Sequence, residues 1–198
     1  MKISIISQTD YKTSNWSGGE TTEVFLFPPN GDYGLKKFDY RISTAVVNLS
    51  ESDFTPLPGF NRLIMSLDNP LELHHDNGES VSEVRLKPFE VHSFSGSDKT
   101  KSFGKCQDFN LIYSDKLQGE MSIKNNRTHA NINAGVTYIY YALKQVVVEL
   151  LGQSYQLNKG ESLIVSEIEK KESILIDSDY EGVEPSVIEV SVHWQMME

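Results

Sequence analysis

Two arginines stand where a small anion could be held. Arg41 lies in the run FDYRISTAVVN, residues 38–48. That run alternates as a β-strand does, so Arg41, Ser43, Ala45 and Val47 share one face. A guanidinium among such neighbours either leans out to solvent or lines a pocket, where its planar fork of N–H donors suits a carboxylate. An internal ion pair with Glu23 or Asp108 is the competing role. Arg62 ends DFTPLPGFNR, residues 53–62, a loop stiffened by two prolines and a glycine. Rigid loops often deliver polar side chains to a site. The plainer alternative is a stiff connection with an exposed arginine.

Two more stretches offer walls for such a pocket. In NWSGGETTE, residues 15–23, a glycine pair follows Trp16, and Thr21 and Glu23 alternate into the strand EVFLF. Glycines there permit positive φ or close backbone approach, although a simple turn covered by Trp16 would look the same. DFNLIY, residues 108–113, puts Asp108, Asn110 and Ile112 on one face. A strand face with Asp and Asn is either solvated or a polar barrel lining.

Other chemistries lack their residues. His74 and His75 are the one close histidine pair, and neighbours on a strand point to opposite faces, so one ion cannot easily take both. His92, His129 and His193 read as isolated. Cys106, the sole cysteine, reads as a small core residue. No nucleophile elbow, phosphate loop or dinucleotide fingerprint occurs. No catalytic residue, metal or cofactor is therefore assigned.

The elements that must position these side chains are strands. EVFLF, YRISTAVVN, RLIMSL, LELHH, SVSEVRL, DFNLIYS, GEMSI, GVTYIYYAL, VVVEL, ESLIVSE, ESILID and SVIEVSVHW are short, β-branched and aromatic, and turn residues separate them. No clean helical stripe appears. The pattern predicts an all-β sandwich or barrel. The polar stretch 114–134 is the candidate seam between two β-halves.

The chain has 198 residues, enough for one large domain or two small fused ones. Its formal net charge of −10 argues against nucleic-acid binding, which demands a basic footprint. A lone thiol, no signal-like leader and no bilayer-length apolar run point to a cytoplasmic protein that does not engage a membrane.

Taken in order, Trp-x-Gly-Gly-x-Thr-x-Glu at 16–23, FDYRIS-x-Ala at 38–45, Phe-x-x-x-Pro-Gly-x-x-Arg at 54–62, FSG at 94–96 and DFN at 108–110 resemble the HutD/Ves family. The match covers most of the first 115 residues; the later half carries no sharp motif. Where the family usually has a glycine before its third motif, this chain has Ser52-Asp53-Phe54-Thr55.

The resemblance implies a bicupin of cupin-like double-stranded β-helix barrels. It would be a single compact unit over 1–198, with an N-terminal lobe over about 1–115 and a C-terminal lobe over about 116–198. It implies a bacterial protein that binds a small anionic metabolite, formylglutamate-like or urocanate-like, with a regulatory role in histidine utilisation or stress response. The expected ligand-binding residues are Trp16, Glu23, Arg41, Ser43, Arg62, Asp108 and Asn110. The alternative is a metal-independent cupin isomerase or hydrolase acting on a small carboxylate. Cupins often pair through sheet edges, so a homodimer is the expected assembly.

Overall fold

The computed structural model describes residues 1–178 and 184–195. Its strands are β1 (Lys2–Ile6), β2 (Lys12–Trp16), β3 (Gly19–Phe27), β4 (Tyr40–Val47), β5 (Glu51–Asp53), β6 (Phe60–Ser66), β7 (Leu71–Asp76), β8 (Val81–Leu86), β9 (Val91–Ser95), β10 (Lys99–Phe103) and β11 (Gln107–Ser114). There follow β12 (Leu117–Asn125), β13 (Thr128–Ile132), β14 (Thr137–Ala142), β15 (Val146–Leu150), β16 (Gln153–Leu157), β17 (Ser162–Ser166), β18 (Glu172–Asp177) and β19 (Pro185–Trp194). Among the described residues the one helical element is a short 3₁₀ turn, Gln8–Asp10. No helix there is long and apolar enough to cross a membrane. The protein is all-β and cupin-like, as expected.

The chain forms two compact units. The central unit, Tyr11–Lys116, holds a six-stranded sheet, β2-β3-β4-β11-β6-β9, and a four-stranded sheet, β5-β10-β7-β8. The terminal unit joins Met1–Asp10 to Leu117–Glu198, with sheets β1-β17-β14-β19-β12 and β13-β18-β15-β16. All the strand pairs are antiparallel.

The N-terminal lobe expected over 1–115 therefore needs correction at its start. β1 pairs with β17, from Lys2 opposite Ser166 to Ile6 opposite Ser162, and belongs with the C-terminal strands. The pairing covers an edge of that sheet which would otherwise present unpaired N–H and C=O groups. A pairing across more than 150 positions leaves no local trace. The polar stretch 114–134 carries two strands, β12 and β13. The change between units falls within it, at Lys116–Leu117.

The interiors differ in chemistry. In the terminal unit Ile132, Tyr138, Tyr140, Val148, Leu163 and Ile176 belong to one apolar cluster that joins both sheets. In the central unit Ile64, Leu71, Leu73, Leu86, Phe94 and Cys106 form a smaller core, and Phe38, Leu57 and Ile112 a second. The space these leave is polar: Arg41, Ser43, Arg62 and Asp108 are all buried.

Glycines in the motifs mark close approaches. A Cβ on Gly18 would lie 2.0 Å from the Trp16 ring, and one on Gly19 1.8 Å from the Val46 carbonyl oxygen on β4. The Pro-Gly loop and the FSG motif meet at Gly96. Its N–H donates to the Phe60 carbonyl at 2.8 Å and its carbonyl accepts from Leu57 N–H at 2.6 Å. A Cβ on Gly96 would meet the Leu57 and Phe60 carbonyl oxygens at 2.4 and 2.7 Å. That loop leads into β6 and Arg62. Gly96→Ala should therefore destabilise by about 1–3 kcal/mol, the usual cost of overpacking. A urea midpoint equal to that of the wild type would show that the loop is free to move.

Candidate functional site

The site grows out of strand register on one face of the six-stranded sheet. Three cross-strand rows carry it. Ala45 and Ser66 flank Asp108, Ser43 and Ile64 flank Asn110, and Arg41 and Arg62 flank Ile112. Alternation keeps Arg41, Ser43, Ala45 and Val47 on the same side, and likewise Asp108, Asn110 and Ile112. All seven line a cavity of about 390 Å³. Trp16 and Arg62 line it too. Ser52 and Ser102 close it from the four-stranded sheet.

Glu23, the remaining expected residue, stands behind Arg41 rather than in the lining. Its Oε2 accepts from Arg41 Nε at 2.8 Å. The register of β3 against β4 shifts between Glu23 and Phe25, leaving Glu23 opposite Ser43. Such bulges re-aim a side chain. Arg41 also donates to Ser43 Oγ at 3.3 Å, and its guanidinium carbon lies 4.2 Å from the centre of the Tyr33 ring. Arg41 thus belongs to an internal ion pair and to the cavity wall at once.

Arg62 is different. It is 4% exposed, and among the described residues no carboxylate pairs with it. Its Nη2 donates to the Thr55 carbonyl, while its Nε has no partner. The Phe54 and Phe94 rings lie 5.5 and 5.9 Å from its guanidinium carbon. Burial lowers its pKa, and the charge on Arg41 pushes the same way against the opposing effect of Tyr33. A buried, incompletely bonded guanidinium is costly to the protein alone. It favours any anion that enters.

Asp108 is the second unusual group. It is 3% exposed. Burial, with a contribution from Asp68, pushes its carboxyl up to about 7, although bonds from Asn110 and the Ala45 backbone favour the ionised form. Cys106 nearby is buried, as expected, and its thiol is pushed up to about 12 by burial and then by Asp108.

The sequence reading missed Tyr33 and Phe54, which shape the arginine end. Tyr33 sits in the turn-rich NGDYG, where nothing marks an aromatic as inward-facing. It also missed a histidine contact. His92 is not isolated: its Nε2 lies 3.0 Å from His75 Nε2, and His75 Nδ1 lies 2.9 Å from Thr100 Oγ1. β7 and β9 belong to different sheets, so the pair exists only after folding. Burial lowers both pKa values. His74 points elsewhere, to Glu72 at 2.6 Å.

The cavity lining includes no histidine or cysteine, so it does not offer the imidazole set of a transition-metal cupin. Glu72, His74 and Glu83 lie close enough together to share an ion. Glu72 is already engaged by Arg85 Nε at 2.7 Å and by His74.

Asp108 carries a stability consequence. Its folded-state pKa lies above the unfolded value of 3.8, so folding retains a proton that the unfolded chain releases. Its contribution is fully present below about 3.8 and is lost as pH rises through about 7. Asp108→Asn should raise the urea midpoint at pH 8, with the gain shrinking toward pH 4. A gain that is the same at both pH values would mean that Asp108 ionises normally.

Comparison with known proteins agrees with this architecture. The conserved protein of unknown function PA5104 from Pseudomonas aeruginosa PAO1 is 21% identical, with TM-score 0.81, over 98% of this chain and 100% of that one. HutD from Pseudomonas fluorescens SBW25, in a formate condition, is 22% identical with TM-score 0.77 over the same shares. The bacterial pirin YhhW from Escherichia coli, in complex with nickel(II), is 11% identical with TM-score 0.67, again over 98% and 100%. These likenesses establish a shared cupin-type fold. No curated protein matches the chain. The HutD family model matches residues 8–180, which takes in every expected site residue, and the chain belongs to the HutD family.

Proposed function

We propose that the central unit binds a small anionic metabolite, a carboxylate of formylglutamate-like or urocanate-like size, and that binding serves a regulatory role in histidine utilisation. The observation that carries this reading is Arg62, a buried guanidinium in a cavity wall with an unpartnered Nε and no carboxylate partner among the described residues. An entering carboxylate would supply the missing charge and acceptor. Arg41 is already neutralised by Glu23 and contributes through position and field. Ser43 and Asn110 offer further hydrogen bonds, and Trp16 offers an apolar wall at the half-open side. Membership of the HutD family supports the pathway assignment.

A second reading has one observation in its favour. A carboxyl that titrates near neutrality inside a cavity suits general acid–base work. Asp108 would then be the acid or base of a metal-independent isomerase or hydrolase acting on the same class of carboxylate. Turnover of a bound carboxylate, lost in Asp108→Asn with binding retained, would select this reading over simple binding.

The binding test is a thermal-shift series with formylglutamate, urocanate and related carboxylates. A ligand at about one hundred times its Kd should stabilise the fold by about 2.7 kcal/mol. Arg62→Gln should remove most of that shift while remaining folded. Arg41→Ala should instead lower intrinsic stability by about 3–5 kcal/mol, because Glu23 is left without its partner. A screen without any shift, or an undiminished shift in Arg62→Gln, would overturn the anion reading.

A further inference from the structure

The cavity holds a second buried ionisable group without an ion-pair partner among the described residues, and its position restricts the ligand. Glu23 and Arg41 cancel each other. Asp53 also lines the cavity but is solvent-exposed. That leaves two buried ionisable groups in the lining without an ion-pair partner among the described residues, Arg62 and Asp108. They do not pair with each other. Arg62 sits in the Ile112 row and Asp108 in its own row, four positions along β11. At the usual rise these rows are about 13 Å apart.

On the anion-binding reading, we infer that the ligand is dipolar: a carboxylate held at Arg62 and, at the opposite end, a cationic nitrogen or strong N–H donor held by Asp108 and Asn110. A simple carboxylate would satisfy Arg62 and leave Asp108 buried and unpaired. A dicarboxylate would bring a like charge to it. When Asp108 is ionised, a ligand of mixed polarity answers both ends, which narrows the proposed metabolites toward the urocanate-like class, a carboxylate with a ring nitrogen, and away from dicarboxylates. Asn110 donates its amide to Asp108 Oδ1 and the Ala45 backbone N–H bonds the same carboxyl; both are neutral donors and leave acceptor sites for a ligand nitrogen. Thr44, across the strand, donates to the Asp108 main-chain carbonyl and so does not compete for the side chain.

The charged and titratable groups around Asp108 are few. Asp68, following β6, acts on it electrostatically, and Asp108 in turn raises the pKa of Cys106, preceding β11. Arg41 on β4, Arg62 on β6 and Asp53 on β5 share the cavity, and Glu23 on β3 backs Arg41. A carboxyl held near neutrality matches a site emptied of its counter-charge, since a bound cation would return it to the ionised form.

The test is calorimetry on the whole protein with 4-aminobutyrate, 6-aminohexanoate and 8-aminooctanoate. Each is measured beside the unsubstituted carboxylate and the dicarboxylate of the same length. At pH 8 the best amino acid should bind at least about tenfold more tightly than its amine-free counterpart. Asp108→Asn should reduce that ratio to near one. In the wild type the ratio should fall between pH 8 and pH 6, a readout that needs no variant. Amino acids no better than plain carboxylates, or dicarboxylates better than either, would overturn the dipolar inference and leave the anion reading standing. Binding of none of the compounds, together with a flat metabolite screen, would remove both.

Discussion

A guanidinium inside a β-sheet sandwich has to be answered by something, and the central unit is organised around answering two of them. Moving an ion out of water costs several kcal/mol unless charge and hydrogen bonds replace what water supplied. For Arg41 the protein supplies all of it: the Glu23 carboxylate, the Ser43 hydroxyl and the Tyr33 ring. That solution depends on backbone devices. The irregular register of β3 sets Glu23 opposite Ser43, and Gly19 lets β3 run against the Val46 carbonyl where a side chain would not fit. Gly19 and the motif glutamate therefore serve one end, which is to bury Arg41 in a paired state.

Arg62 receives less. One main-chain carbonyl and two aromatic rings surround it, and its Nε stays unpaired. The rigid Pro-Gly loop and its clasp on Gly96 hold it in that condition. A side chain on a floppy loop would swing out to solvent; one entering β6 from a clamped loop cannot do so cheaply. Incomplete satisfaction at a fixed position leaves a donor open to whatever polar partner enters the cavity, a water, an ion or a ligand. Asp108 is likewise buried without an ion-pair partner among the described residues, and burial, with Asp68, raises its pKa.

The terminal unit gives the contrast. It uses the same layered antiparallel sheets, yet its interior is filled by Ile, Val, Leu and Tyr side chains. Among the described residues, one interior holds a large apolar cluster and the other keeps buried arginine and aspartate side chains. That difference, rather than the fold, is what the proposed site in residues 11–116 rests on.

Much of the central unit was legible in the sequence because strand alternation is local. Period two places Arg41 with Ser43, Ala45 and Val47, and Asp108 with Asn110 and Ile112, and the ordered motifs point to the cupin-type fold. Strand pairing is not local. Which strands adjoin decides that Arg41 and Arg62 flank one residue, Ile112, that Arg41 meets Glu23 while Arg62 meets no carboxylate among the described residues, that His75 and His92 touch, and that β1 joins strands more than 150 positions away. Side-chain periodicity follows from the chirality and pleat of a single strand. Register and sheet order follow from burial summed over the whole chain, and only the tertiary structure performs that sum.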